Sequence, residues 1–330
     1  MVTVPRLGPG PPYAGGMRRA RSLAPVVVVL LQVAVLVTLL LTPPRTAPQG
    51  SPVTLVGPPV VSTALVDRLN HRAGHPFDAS AGTTAHAAER EVEDGVVLAA
   101  VVVDLSRERD VLYVDAANGE RLNEALTREA GAVAASLGRT LDVVDVDPNP
   151  ADRRIPYLVT AATLVLGFLV TLALNWRRRS AGPERGPSRT RHRLVAASLT
   201  VAVAAGAGAI VTDLTGVCGW VAIVVAATLT ASTFTAALVR LVGVWGHGVA
   251  ATLFLVTAAP LVRATHPLLL PGVWSDVTPW LPHGAVLDVT VHLTHFDGLG
   301  SPRSWALLLG YVLVSWLTLT LSDRAQLART

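Results

Sequence analysis

Residues 155–176 read IPYLVTAATLVLGFLVTLALNW, an apolar run without a single charged side chain. At 1.5 Å per residue such a helix is long enough to cross roughly 30 Å of hydrocarbon. Arg177, Arg178 and Arg179 follow directly. Comparable runs lie at Leu23–Thr42, Leu194–Thr212, Val217–Val239, Leu241–Val262 and Ser304–Leu321. A soluble core helix shows one apolar face and one polar face, and none of these runs does. The run at Leu23–Thr42 reads as an uncleaved anchor, because no Ala-x-Ala cleavage site follows Pro43-Pro44-Arg45. The expectation is therefore an α-helical polytopic membrane protein with six transmembrane helices. A small α/β extracytoplasmic domain is expected between helices 1 and 2.

Composition agrees with a membrane protein. Of 330 residues, 51% are hydrophobic and 15% charged, and the charges are segregated. All 27 Lys+Arg residues are arginine, which fits GC-rich coding of the actinobacterial kind. Without lysine there is no P-loop lysine, Schiff base or lysine general base, which excludes a conventional P-loop ATPase. The single cysteine, Cys218, excludes an intrachain disulfide. The net charge of +4 does not imply nucleic acid as a partner, because the arginines sit where membrane topology places them.

Arginine bias sets the expected orientation. Arg18, Arg19 and Arg21 flank the first run, and residues 177–193 hold seven arginines against Glu184 alone. Arg240, Arg324 and Arg329 fall on the same side for an even number of spans, whereas residues 44–152 are dominated by acids. This predicts a multi-pass protein of the cell membrane with both termini cytoplasmic. The layout is 1–22, a disordered basic N-terminus in which Met17 is a second candidate start; 23–42, the first span; 43–154, the external domain; and 155–176, the second span. An Arg-rich cytoplasmic loop at 177–193 precedes spans three to five at 194–262, with Arg240–Gly246 as a tight hairpin. Residues 263–303 form an external re-entrant or interfacial segment, 304–321 the last span and 322–330 a cytoplasmic tail. Within 263–303, Trp274, Trp280, Pro282 and Gly284 mark short broken helices, with the tryptophans near headgroup level. Ala202 and Gly206 form a small-residue face for close helix packing, within one subunit or in a homodimer.

The external domain alternates strand and helix. Val53–Val56 reads as a strand, Pro59–His71 as a helix, and His75–Ser80 as a short strand. Thr83 or Thr84 caps a helix over Ala85–Glu93. Val96–Leu105 reads as a strand buried on both faces, and Asp110–Ala116 as a further strand. Leu122, Leu126, Ala130 and Val133 mark a helix over Asn118–Leu137, before a last strand at Leu141–Val146. The order β-α-β-α-β-β-α-β predicts a mixed sheet.

Candidate chemistry is sparse. Asp78-Ala-Ser80-Ala-Gly82 half resembles a nucleophile elbow but lacks its first glycine, and a turn is the expected reading. His71 and His75 are four apart, and His292-x-x-His295-x-Asp297 has metal-like spacing, yet neither has further ligands at matching spacing. Glu89, Glu91, Glu93 and Asp94 read as a solvated helix face. No catalytic, cofactor-binding or metal residue is therefore expected, nor an enzyme. The near-absence of ionisable residues within the runs argues against a proton- or sodium-driven carrier.

Two segments carry a resemblance. One is Val92-Glu-Asp-Gly-Val-Val-Leu-Ala-Ala-Val-Val-Val-Asp104, continuing through Val111-Leu-Tyr-Val-Asp115. The other is Trp280-Leu-Pro-His-Gly-Ala285 followed by His295-Phe-Asp-Gly298. Over residues 20–322 the chain resembles ABC-2-type permease-like membrane proteins, in the branch of the YhgE/Pip and nitrosoguanidine-resistance group. The resemblance implies export of an amphipathic lipid, peptide or drug, driven by a separate ATPase subunit. Arg185, Arg189 and Arg191 are the expected cytoplasmic contacts to that subunit or to the lipid bilayer. The alternative is a non-transporting envelope scaffold or receptor whose external domain binds a partner.

Overall fold

The computed structural model describes residues 47–147, 154–180, 217–258, 266–270, 273–296 and 300–327, with Leu30, Gln32 and Ala34. Residues 51–145 build an α/β domain. Its elements are β1 (Ser51–Val56), α1 (Pro59–Asn70), β2 (Phe77–Ala81), α2 (Ala85–Glu93), β3 (Ala99–Val102), β4 (Arg109–Val114), α3 (Glu120–Ser136) and β5 (Thr140–Asp145). The sheet order is β2-β1-β3-β4-β5. β1 is parallel to β2 and β3, β3 is antiparallel to β4, and β4 is parallel to β5.

Burial explains this arrangement. Leu65 and Leu69 of α1 and Leu122 and Leu126 of α3 close one core over Val53, Leu55, Phe77 and Leu112. Ala88 and Val92 of α2 cover Val56 and Ala100 on the other face. Each fully buried leucine contributes about 2 kcal/mol by its removal from water. Thr84 caps α2 by accepting a hydrogen bond from the Ala87 N–H at 3.1 Å. The apolar run Val96–Leu105 is longer than the strand it contains: β3 spans four residues, and Val96 and Leu105 are 65% and 57% exposed. Asp78–Gly82 is mostly edge strand β2 rather than a turn.

The buried Asp110 is paired with the half-buried Arg139. Arg139 Nε donates to Asp110 Oδ1 and Oδ2 at 2.9 and 3.0 Å, and its Nη2 to Oδ1 at 2.7 Å. The same Nη2 reaches the Asp104 and Arg107 carbonyls at 2.7 and 2.8 Å. One guanidinium thus pins the β3–β4 turn to the start of β5, in the planar geometry that arginine supplies.

The second unit is helical: α4 (Ile155–Ser180), α5 (Val217–Val242), α6 (Gly246–Ala251), α7 (Val273–Val277), α8 (Pro282–His295) and α9 (Pro302–Leu327). The six-span architecture does not hold. Among the described residues three helices are long and apolar enough to cross a membrane: Ile155–Trp176, Cys218–Val256 and Pro302–Ala325. From Cys218 on, the expected span Val217–Val239 falls with the described part of the expected span Leu241–Val262 in one candidate, Cys218–Val256; residues 259–262 lie outside the described residues. The candidate bends at Gly243–Trp245, where Gly243 takes a φ of +70°. The second arm then folds back, setting Phe254 edge-on to Phe234 with centroids 6.1 Å apart. The described helical part of this arm, Gly246–Val256, rises roughly 16 Å, about half the hydrocarbon thickness. The expected runs Leu23–Thr42 (Leu30, Gln32 and Ala34 apart) and Leu194–Thr212 lie outside the described residues. So do Ala202, Gly206, Arg185, Arg189 and Arg191.

Close packing and threonine hydroxyls hold the bundle together, as expected where lipid removes the hydrophobic drive between helices. A β-carbon on Gly167 of α4 would lie 2.7 Å from the Thr228 carbonyl of α5. Thr171 donates to the Ser232 carbonyl at 2.9 Å, and the Thr160 and Thr290 hydroxyls meet at 3.1 Å. Arg240 and Asp323 pair at 2.6 Å, joining the ends of α5 and α9. The short helix α8 is inside this bundle, with Ala285, Val286 and Val289 packed among Leu164, Ile223 and Leu308.

Candidate functional site

The α/β domain and the bundle meet across a cavity of about 360 Å³. The domain contributes Leu98, Asp115 and Asn118, and the bundle side contributes Tyr157, His266, Leu287, Val291 and Arg303. The domain wall is stiffened by a short 3-10 turn after β4. Asp115 Oδ1 accepts the Ala117 N–H at 2.6 Å, and Asn118 Nδ2 donates to the Leu98 carbonyl at 2.7 Å. Asn123 Nδ2 closes the turn on the Asp115 carbonyl at 2.8 Å. On the bundle side Asp288 of α8 accepts from Ser304 Oγ at 2.7 Å and from the Ser301 N–H at 3.1 Å, tying α8 to the start of α9. Tyr157 lines the cavity, and its buried hydroxyl has no partner among the described residues. Such an orphan is costly unless water or a ligand meets it.

At the edge of the cavity three side chains converge. Asp115 follows β4, Asp147 follows β5, and His295 ends α8. β4 and β5 run parallel with Val114 opposite Asp145, so both carboxylates emerge at the same edge of the sheet. His295 Nδ1 lies 3.2 Å from Asp147 Oδ2, and one ligand atom from each of the three residues falls within 4.8 Å of the others. The His295 side chain is fully buried, and its Nε2 has no hydrogen-bond partner among the described residues. Burial pushes the Asp115 carboxyl up to about 6. The Ala117 N–H and the His295 imidazole pull it back, while Asp147 and Asp145 push it further up.

The residues expected from spacing fall differently. His292 contacts the backbone and carboxylate of Asp288, and Asp297 lies outside the described residues. His71 and His75 are exposed, follow the end of α1 and bond to its Asp67 and Asn70 carbonyls. Of the acidic group on α2, Glu91 accepts from Thr54 Oγ1 at 2.6 Å and so serves the sheet. Trp280 is 60% exposed beneath the Arg303 guanidinium, 4.2 Å from its ring centre, while Trp274 is half-buried. Pro282 starts α8, and Gly284 lets that helix approach the Thr278 carbonyl. Spacing gave no hint of Asp115, Asp147 or Tyr157, which join the site only through strand pairing and the docking of the domain on the bundle.

The chain matches no protein-family model, no curated protein and no solved structure.

Proposed function

We propose that this is a membrane-anchored binding protein of receptor type that takes up an amphipathic molecule with an anionic head group. The cavity between domain and bundle carries this reading. Leu268, Leu287 and Val291 offer an apolar wall, while Arg303, Asn118 and the orphan Tyr157 hydroxyl offer polar contacts. An apolar pocket with a few convergent polar groups is the usual form of a small-molecule site. The arginine-rich segment 177–193 favours an extracytoplasmic domain. Receptor function is preferred to export because the walls come from the domain, the short helices and only the first turns of α4 and α9, at Tyr157 and Arg303.

Mass spectrometry of protein purified in mild detergent tests the proposal. The expected result is a retained anionic amphiphile that is lost in Val291→Trp, which fills the cavity. In Arg303→Gln a neutral amphiphile should replace it. Wild-type protein that carries nothing and binds no added anionic amphiphile overturns the reading.

A further inference from the structure

We propose, resting on the uptake of an anionic amphiphile argued above, that the occupant of the cavity between domain and bundle is a single-chain carboxylic acid, a fatty acid of medium length. Size limits the tail. At about 30 Å³ for each water-sized group, the cavity of about 360 Å³ holds about twelve such groups, the number of non-hydrogen atoms in a ten-carbon fatty acid. A second chain of that length needs twice the room. Charge limits the head group. Among the described residues lining the cavity, Arg303 is the one arginine, and Asp115 and Asp288 are the two acids. A phosphate monoester carries about −1.5 to −2 charges near neutral pH, which one guanidinium does not balance and two carboxyls oppose. A carboxylate carries a single charge, which Arg303 matches.

The donors fit the same class. The Arg303 guanidinium stacks on the Trp280 ring, 4.2 Å from its centre. Stacking engages the face of the guanidinium and leaves its in-plane N–H fork for an acceptor, a geometry that a carboxylate meets with two bonds. Two neutral donors without partners among the described residues line the cavity as well. One is the buried Tyr157 hydroxyl. The other is His266: its Nδ1 accepts the Leu268 N–H at 3.3 Å, so the neutral ring carries its proton on Nε2. Such donors suit a head group that only accepts, as an ionised carboxyl does. The bland alternative is a cavity filled with water, which would also meet these groups. It leaves unexplained the apolar wall of Leu98, Leu268, Leu287 and Val291.

The test titrates the full chain by calorimetry in mild non-ionic detergent at about pH 7.5, separately with decanoate, decyl phosphate and a two-chain phosphatidylglycerol that carries one charge. Val291→Trp, which fills the cavity, reports uptake by the detergent micelles alone. One decanoate per chain is expected, bound roughly tenfold or more tightly than either of the others. Tyr157→Phe should weaken decanoate by about tenfold, the loss of one hydrogen bond to a charged group. It should not lower the thermal midpoint of the empty protein, because among the described residues the hydroxyl has no partner to lose. A midpoint that falls while the affinity holds makes the hydroxyl structural and overturns its part in the site. Decyl phosphate that binds as tightly as decanoate overturns the carboxylate, and phosphatidylglycerol that does so overturns the single chain; the amphiphile reading survives both. A protein that binds none of the three refutes that reading too.

Discussion

The ring of Phe296 fills the space in front of Gly95: a β-carbon built on Gly95 would lie 2.7 Å from the Phe296 Cε2. Gly95 ends α2 with a φ of +67°, and Phe296 follows the last residue of α8, so this contact is where the domain rests on the bundle. Gly95→Ala therefore meets two penalties. The left-handed backbone costs about 1–2 kcal/mol, and the clash adds to it. In a thermal-unfolding cycle, Phe296→Ala should relieve the clash in the double variant while leaving the backbone penalty in place. Full additivity of the two changes would show that the ring and the glycine do not touch.

The excised domain, residues 47–147, is expected to fold alone with a cooperative thermal transition, because both faces of its sheet are already covered by its own helices. Ala100 lies fully buried at the centre of β3. Ala100→Asp should abolish that transition by burying an unpaired carboxylate. Val102, at the strand end and only half-buried, should tolerate the same change better.

Arg139→Met removes every bond that crosses from the β5 side to Asp110 and to the Asp104 and Arg107 carbonyls, and leaves a buried carboxylate behind. A fall of several degrees in the domain's unfolding midpoint is expected. Arg139→Lys should recover only part of it, because an ammonium cannot reproduce the planar fork. Equal midpoints for the methionine and lysine variants would contradict the geometry described.

Acidification should loosen the cavity through His266. Its Nδ1 accepts the Leu268 N–H at 3.3 Å, and burial pushes its pKa down to about 4. In the unfolded chain histidine protonates near 6.5, so the folded state loses stability as pH falls from there towards 4. Between pH 7 and pH 5 the loss is about 2 kcal/mol. His266→Asn keeps an acceptor for Leu268 but cannot ionise. Its stability should fall less steeply over the same range in detergent-solubilised protein, and parallel pH profiles would refute the assignment.

The domain was readable where local chemistry and tertiary burial agree. Thr84 caps α2, Leu122 and Leu126 are spaced for one helix face, and the element order follows the alternation of apolar runs. Where hydropathy alone was the guide, it overreached. Val96 and Leu105 are apolar but lie beyond the ends of β3, and two runs expected as separate spans on either side of Gly243 count as one candidate, Cys218–Val256. The cluster was legible only in fragments. His292-x-x-His295 points to α8, but it is His295 alone that turns to the domain, while His292 faces Asp288 one turn back. Its partner Asp147 is 148 residues away, brought in by strand pairing that a single chain's spacing does not encode.

The cavity has walls from two bodies, and that obliges reciprocity. An occupant that touches both walls binds better when they are seated together, so occupancy must in turn favour seating, by the same factor. At a free concentration one hundred times its dissociation constant, such a molecule shifts the balance by about 2.7 kcal/mol. Under the function proposed above, the posture of the domain becomes a gauge of how much of that amphiphile is free to bind. Its reading is set by chemical potential rather than by any moving part within the spans.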